Sequence, residues 1–209
     1  DHVVTHDKRG MRSFLWACNN EHILFVQDEN GDENWHIFRT NVKTQETVDM
    51  TPYHGVRAHI HSVDKHFPNE ILITMNKEDS KLFDVYLLHI DSGALELVSK
   101  NPGNVDCWQH DSTLCVRAAV AVNPDESTAL LVRDSKESPW IQKATWSFED
   151  SLPGSVPANG SRPVSFSSDG KSLYLIESTS TNTQRLMKLN LIAGSKELLA
   201  EDELYDIHS

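Results

Sequence analysis

The chain has few cysteines. Cys18, Cys107 and Cys115 are the three in 209 residues, and no pair has C-x-x-C spacing. Cys107 and Cys115 fall in consecutive strand-like segments and could face each other. The odd count favours free thiols in a reducing compartment. The one glycosylation sequon, Asn159-Gly160-Ser161, matters only in a secreted protein.

Basic residues and long apolar runs are also scarce. Lys and Arg number 19 against 31 Asp and Glu, which gives a formal net charge of −12, and the acidic residues are spread along the chain. A phosphate backbone or an anionic membrane needs clustered basic residues, so we expect neither nucleic acid nor membrane as a partner. No apolar run approaches the roughly 20 residues of a membrane-spanning helix. Residues 1–5 contain neither Met nor an apolar targeting stretch, so we expect a cytoplasmic protein whose two ends are cuts inside a longer polypeptide.

The motifs of nucleophilic catalysis and phosphate binding are missing. The sequence contains no G-x-S-x-G elbow, no G-x-G-x-x-G and no Walker pattern. Ser99, Ser165 and Ser168 lie in no such turn, and Ser155 follows Gly154 without the later glycine. We therefore predict no catalytic residue, no cofactor-binding residue and no cofactor for this chain.

Eleven histidines raise the hypothesis of a metal site. His59 and His61 would lie on one face of a strand, flanked by His54 and His66. A structural zinc site needs four ligands, and no cysteine or close histidine pair completes the set. The interpretation as a polar strand face and loop histidines is favoured, so we predict no metal ligand.

The segment Asp28–Asn34 resembles a calcium loop in composition. A calcium loop needs Glu at its twelfth position, which is Arg39 here, and helices on both sides. A hairpin turn in which Asp and Asn side chains accept hydrogen bonds from backbone N–H groups is the better interpretation.

A repeated unit of an apolar strand, a polar turn and a second strand organises the chain. The copies start at residues 23, 71, 129 and 173, at spacings of 48, 58 and 44 residues, and the third is the weakest. A strand-built period of about 40–50 residues is typical of β-propellers. The fold class predicted is all-β, a partial β-propeller of about four four-stranded antiparallel blades, roughly at residues 11–50, 54–100, 103–147 and 161–201.

Turn and linker signals fit this plan. Tight turns are predicted at Asn30-Gly31, Ser92-Gly93, Pro102-Gly103 and Asp169-Gly170. The stretch Ser151–Ser161 is the one linker-like segment or a long inter-blade loop, and no apolar stripe marks a core helix. The five tryptophans are expected to pack in the core or between blades.

The segment Phe25–Phe38 resembles the first-blade signature of the N-terminal β-propeller region in the prolyl oligopeptidase family of serine peptidases. The resemblance is strongest to the acylaminoacyl-peptidase and dipeptidyl-aminopeptidase-like branch, and it covers essentially the whole chain. Further matching segments follow in the same order: Met50–Tyr53, Gly55–Ala58, Leu82–Tyr86, Asn101–Gly103, Leu131–Asp134, Phe166–Lys171 and Leu199–Asp202.

The resemblance implies a propeller of about seven or eight blades joined to an α/β-hydrolase domain with a Ser-Asp-His triad. In this family the propeller covers the active site and filters substrates by size. The chain holds about half a propeller and no hydrolase domain, so no triad residue carries over and the chain is non-catalytic by itself. Expected partners are a hydrolase domain of the same polypeptide, or another chain completing the ring, and peptide substrates.

The alternative function is a non-enzymatic, propeller-derived scaffold or subunit that mediates protein–protein interaction. In both cases an open half-ring leaves apolar faces bare, near residues 13–26 and 173–190. We expect the isolated chain to associate through these edges.

Overall fold

The computed structural model describes residues 3, 5, 9–151 and 160–207. The chain divides into two compact units, Asp1–Asn101 and Pro102–Ser209. Among the described residues, strands dominate and the one helix, α1 (Phe148–Ser151), has four residues. No helix in this part of the chain is long and apolar enough to cross a membrane. The predicted linker Ser151–Ser161 lies mostly outside the described residues.

The first unit holds two four-stranded antiparallel sheets, each with its strands in chain order. Sheet 1 comprises β1 (Ser13–Trp16), β2 (His22–Gln27), β3 (His36–Asn41) and β4 (Thr47–Asp49). Sheet 2 comprises β5 (Ala58–Val63), β6 (Glu70–Asp79), β7 (Leu82–His89) and β8 (Leu95–Ser99).

The core of the first unit lies between its two sheets. Leu24 and Ile37 of sheet 1 and Ile73 and Met75 of sheet 2 are fully buried in one cluster. Alternation along β2 and β3 turns these side chains to one face of sheet 1. Phe14 and Trp16 alternate onto the opposite face of β1, where they are 73% and 59% exposed.

The second unit repeats the architecture. Sheet 3 comprises β9 (Val105–His110), β10 (Val116–Val122), β11 (Thr128–Val132) and β12 (Ile141–Trp146). Sheet 4 comprises β13 (Arg162–Phe166), β14 (Ser172–Glu177), β15 (Arg185–Asn190) and β16 (Lys196–Ala200). Leu130 and Trp146 pack against Leu173 and Leu175 in the core between the two sheets.

The third predicted repeat is displaced by one strand. The copies at residues 23, 71 and 173 fall on second strands, but the copy at 129 falls on β11, the third strand of sheet 3. The equivalent strand is β10. The cause is the placement of the polar connections. A short turn, residues 123–127, follows β10, whereas the longer polar segment 133–140 follows β11, so the strand–turn–strand pattern is strongest one strand too late.

The glycines of the four predicted turns have positive φ, from 66° at Gly170 to 126° at Gly103. Gly170 is also the site of a close approach between sheets 3 and 4. Its carbonyl accepts a hydrogen bond from Arg117 Nη1 at 3.1 Å, and a Cβ added there would lie 2.7 Å from the same nitrogen. Its backbone conformation therefore favours glycine, and an added Cβ would also displace the Arg117 guanidinium.

Candidate functional site

A cleft of about 540 Å³ lies at one end of the first unit, around the β2–β3 turn. The charged and polar residues that line it are contributed by the ends of strands and by turns. They are Arg9, Gln27, Asp28, Glu29, Asn30, Asp32, Asn34, His36, Asp49 and His54, with Phe38 and Gly55 beside them. The most specific segment of the family resemblance, Phe25–Phe38, thus forms one wall of the cleft.

The β2–β3 turn is shaped by three residues with left-handed backbone conformations. Asn30, Gly31 and Glu33 have φ of 56°, 85° and 59°. Asn and Gly adopt this region readily, whereas Glu does so with strain. The strained residue is stabilised locally, because the Glu33 N–H donates to Asp28 Oδ2 at 3.3 Å.

Asp28 and Arg9 form a two-pronged ion pair at the floor of the cleft. Arg9 Nε donates to Asp28 Oδ1 at 2.7 Å and Arg9 Nη2 donates to Oδ2 at 2.9 Å. The Asp28 side chain is 1% exposed, whereas that of Arg9 is 48% exposed. Hydrogen bonding from Arg9 is the main cause that lowers the pKa of Asp28 below its usual value. The floor of the cleft therefore carries a fixed carboxylate that is already neutralised.

Asp32 uses its carboxylate within the same turn. Its Oδ1 accepts from the Asn34 N–H at 3.0 Å and its Oδ2 accepts from Asn34 Nδ2 at 2.9 Å. These bonds lower the pKa of Asp32. The carboxylates of Asp28 and Asp32 thus bind N–H groups of the hairpin, as predicted from the sequence. Among the described residues, no group of three or more His, Cys, Asp or Glu is placed to hold a metal ion.

A histidine–aspartate pair also lines the cleft. His36 Nδ1 and Asp49 Oδ2 are 2.7 Å apart, and Asp49 Oδ1 also accepts from the Thr51 N–H at 2.8 Å. The ring of His36 is stacked at 6.4 Å from that of Phe38. The imidazole is therefore held by a carboxylate on one side and an aromatic ring on the other.

The groups around the His36–Asp49 pair determine what this arrangement can do chemically. A His–Asp pair activates a nucleophile only when a Ser, Thr or Cys lies within hydrogen-bond reach of the imidazole. The described residues that line the cleft include none of these three types. The cleft offers charged and hydrogen-bonding groups beside an aromatic wall, which is the composition of a site for a polar ligand.

Sequence reasoning missed Arg9 and Asp49 as site residues, since both lie far along the chain from the β2–β3 turn. The hairpin register could have found Arg9. Ser13 pairs with Val26, so the residues before β1 run past the end of β2. Gln27 Nε2 donates to the Arg9 carbonyl at 2.8 Å, which continues this alignment.

The structure separates the four histidines of the metal hypothesis. His54 lines the cleft, whereas His66 pairs with Asp64 at 2.7 Å in the β5–β6 turn. A bulge between Ile60 and Ser62 interrupts the alternation of β5, on which His59 and His61 lie. His59 packs against the ring of Phe83 at 5.4 Å.

The three cysteines are free thiols, as predicted. Cys107 lies on β9 opposite Val120, so it does not face Cys115, which lies in the β9–β10 turn. Burial raises the pKa of Cys107 to about 11 and, together with Asp111, raises that of Cys115. Neither thiol is activated as a nucleophile.

The candidate serines are placed in the scaffold. Ser99 is buried in β8, Ser165 lies on β13 and Ser168 lies in the β13–β14 turn. Ser155 and the sequon residue Asn159 lie outside the described residues. Trp108 and Trp146 are buried as expected, but Trp16 is largely exposed.

Two curated relatives match the sequence. Dipeptidyl aminopeptidase BIII from Pseudoxanthomonas mexicana is 30% identical over 206 residues, which cover 98% of this chain and 29% of that protein. Dipeptidyl peptidase family member 6 from Caenorhabditis elegans is 28% identical over 153 residues, which cover 69% of this chain and 20% of that protein. The chain therefore spans less than a third of the length of either relative. No protein-family profile matches it.

Solved structures share the fold. Dipeptidyl peptidase 4 from Porphyromonas gingivalis superposes with a TM-score of 0.58 at 13% identity, over 90% of this chain and 30% of that one. TolB from Acinetobacter baumannii gives 0.55 at 13% identity, over 94% and 45%. Oligopeptidase B from Leishmania major gives 0.55 at 8% identity, over 93% and 28%.

The four four-stranded antiparallel sheets and these structural neighbours define the class of protein: an all-β, partial β-propeller, as predicted. The match to dipeptidyl aminopeptidase BIII along nearly the whole chain confirms the predicted resemblance: the chain belongs to the prolyl oligopeptidase family of serine peptidases, as a propeller region.

Proposed function

We propose that this chain is the propeller portion of a prolyl-oligopeptidase-like serine peptidase, in which it covers and gates the active site of a separate α/β-hydrolase domain. The observation that carries the proposal is the 30% identity to dipeptidyl aminopeptidase BIII over 98% of the chain. Each sheet acts as one blade, roughly at residues 11–50, 54–100, 103–147 and 161–201. The chain itself is non-catalytic.

The cleft supports a role in contacting peptides. It contains an ion pair, a His–Asp pair and an aromatic ring, and Asp28, His36 and Phe38 of these groups lie in the segment that carries the family signature. Peptides offer backbone amides and charged ends, which such groups recognise. The peptide substrates are contacted by the propeller, and the hydrolase domain supplies the nucleophile.

The exposed face of sheet 1 supports a further blade as neighbour. Phe14 and Trp16 lie on the face of β1 opposite to the core of the first unit, and they are 73% and 59% exposed. Phe25 and Phe38 stack at 5.2 Å on the same face, in register with Phe14. Burying apolar surface stabilises by about 25 cal/mol per Å², so this face favours an apolar partner.

The proposal is tested with the polypeptide that joins this chain to a hydrolase domain. We expect hydrolysis of dipeptidyl reporter substrates that a serine-directed inhibitor abolishes, and a kcat/KM that falls steeply as the peptide is lengthened. The 209-residue chain alone should show no turnover. Absence of inhibitor-sensitive turnover in the joined polypeptide contradicts the peptidase assignment and favours the non-enzymatic scaffold.

Gating is tested separately with a face-disrupting variant. Trp16→Glu places a charge on the face expected to receive a blade, so the ring should loosen and long peptides should be cleaved faster relative to short ones. Ile192→Glu is the control, because Ile192 is 82% exposed in the β15–β16 turn. A length dependence that is flat in the wild type, or equal in both variants, contradicts gating.

A further inference from the structure

Two arginines and a tryptophan lie at the cleft end of the first unit. Arg12, Trp35 and Arg57 each come immediately before a strand: β1, β3 and β5. The strands β1 and β3 run in the same direction, so Arg12 and Trp35 lie at the same end of sheet 1. The Ala58 N–H donates to the Trp35 carbonyl at 2.7 Å, which brings Arg57 to that end as well.

Arg12 is held through its guanidinium group and Arg57 through its backbone, and both residues are exposed. Arg12 lies over Trp35, with its guanidinium carbon 4.9 Å from the ring centroid. The Arg57 N–H donates at 2.6 Å to Oδ1 of the buried residue Asn76, and the Asn76 N–H donates back to the Arg57 carbonyl at 3.2 Å. The Arg57 side chain is nevertheless 47% exposed.

Positive charge converges at this point in a chain that is otherwise acidic. His59, two residues after Arg57, is half-buried, and its pKa is lowered by burial first and by Arg12 and Arg57 next. Both guanidinium charges therefore reach the same imidazole. Within the described part of the chain, the counter-charge in ion-pair range is Glu33, 3.8 Å from Arg57 and itself 72% exposed.

We infer that Arg12, Arg57 and Trp35 form a carboxylate-binding patch that holds a carboxylate of a peptide, either its C-terminus or a Glu or Asp side chain. A guanidinium group presents parallel N–H donors that match the two oxygens of a carboxylate. Like charges held together with one loosely placed partner favour an incoming anion. The indole of Trp35 keeps Arg12 in place and gives the peptide an apolar contact.

Glu33 competes with an incoming carboxylate for Arg57. Its carboxylate is on the surface and reaches Arg57 at a distance too long for a hydrogen bond. An incoming carboxylate with better geometry displaces it. Glu33→Gln should therefore strengthen the binding of an acidic peptide, whereas a purely structural role for the arginines predicts no gain.

The test is calorimetric titration of the 209-residue chain with matched peptides. One peptide has a free C-terminus, a second has an amidated C-terminus, and two further amidated peptides carry Glu or Gln inside. We expect a carboxylate-bearing peptide to bind on the order of tenfold more tightly than its neutral counterpart. If the peptides with free and amidated C-termini differ in affinity, the patch binds a terminal carboxylate. If the peptides with Glu and Gln differ, it binds a side-chain carboxylate.

The decisive comparison uses two double variants that each remove two positive charges. Arg12→Gln with Arg57→Gln should abolish the preference for carboxylate. Lys43→Gln with Lys65→Gln should retain it, because these exposed lysines lie in the β3–β4 and β5–β6 turns at the other end of the sheets. Arg12→Lys with Arg57→Lys keeps the charge without the fork, so it should fold and retain part of the preference. The His59 ring pKa, followed by NMR, should rise when the free-carboxylate peptide is added.

The inference rests on the proposed function in one respect, namely that the carboxylate belongs to a peptide. The titration measures binding and does not depend on turnover. No preference for either carboxylate peptide in the wild type overturns the patch, as does an equal loss in both charge-neutralising double variants. Inhibitor-sensitive turnover in the joined polypeptide together with either of these results would retain the peptidase and reject the patch. A preference for carboxylate peptides without inhibitor-sensitive turnover in the joined polypeptide would retain the patch and reject the peptidase.

Discussion

The two units share an architecture, but one pair of arginines in each unit is placed differently from the pair in the other. In the first unit, Arg12 and Arg57 have exposed guanidinium groups at the end of the sheets. In the second unit, Arg117 and Arg133 are directed inward and donate to backbone carbonyls: Arg117 to Arg133 and Gly170, and Arg133 to Val116 and Lys136. A charge that is satisfied by the backbone stabilises packing, whereas one left at a solvent-facing end is available to a ligand.

Three acidic residues show a comparable difference in placement. In the second unit, Glu177 is buried and binds both Trp146 Nε1 and Lys196 Nζ, so it links three strands of sheets 3 and 4. In the first unit, Glu29 and Asp32 lie exposed in the wall of the cleft. These exposed groups of the first unit are the ones to which we propose that a ligand binds, whereas Glu177 stabilises the packing of sheets 3 and 4.

The largest expected effect is on the core of the second unit. Trp146→Ala removes a fully buried indole and its hydrogen bond to Glu177, which should lower the free energy of unfolding by about 3–5 kcal/mol. Trp16→Ala, in the exposed position, should change it by less than about 0.5 kcal/mol. Denaturant unfolding of the two variants measures the difference. Similar losses would show that Trp146 does not anchor the sheets.

A pair of glycine substitutions separates backbone strain from the Arg117 contact. Gly194→Ala has positive φ with open space, so it should cost about 1–2 kcal/mol from strain alone. Gly170→Ala has similar φ and also meets Arg117, whose guanidinium is fixed by several bonds, so its loss should be larger. Thermal unfolding of both variants checks this order. Equal losses would mean that Arg117 moves aside freely.

The ion pair at the floor of the cleft should make the first unit acid-sensitive. Since the pKa of Asp28 is lowered by Arg9, its contribution to stability is complete above its ordinary pKa of 3.8 and is lost as the pH falls through the folded value. Asp28→Asn should lower stability at neutral pH and flatten the loss below pH 3.8. Asp32→Asn should have a smaller effect on both the stability at neutral pH and its loss in acid, because the carboxylate of Asp32 bonds only within its own turn in the described structure. Unfolding curves across this pH range decide between them.

The smallest expected effect is a titration shift at the basic patch. Arg12→Gln removes one charge that faces His59, so the lowered pKa of His59 should rise toward 6.5, while Lys43→Gln should leave it unchanged. Below pH 6.5 the protonation of His59 favours the unfolded chain, so the variant should also lose less stability as the pH falls from 6.5 to the folded pKa. NMR of the imidazole measures the shift. An unchanged His59 pKa in the Arg12→Gln variant would show that the charge of Arg12 does not act on His59.

The local strand pattern was predictable because apolar alternation and Asn-Gly or Asp-Gly turns act over a few residues. The position of the third repeat was not predictable, because β10 and β11 are both apolar and the shorter connection lies between them. Asp28 could be identified as a turn residue, but its partner Arg9 depends on strand pairing. A bulge disrupts the predicted face of His59 and His61, and no local sequence pattern predicts this bulge.

Amide hydrogen exchange of the chain, with and without a peptide that has a free C-terminus, measures most directly where a peptide binds. We predict slower exchange in residues 9–12, 27–36 and 54–59 of the first unit, and no comparable change in residues 102–151 and 160–207. Protection concentrated in the second unit, or none in the first, would contradict the assignment of peptide recognition to the cleft end of sheets 1 and 2.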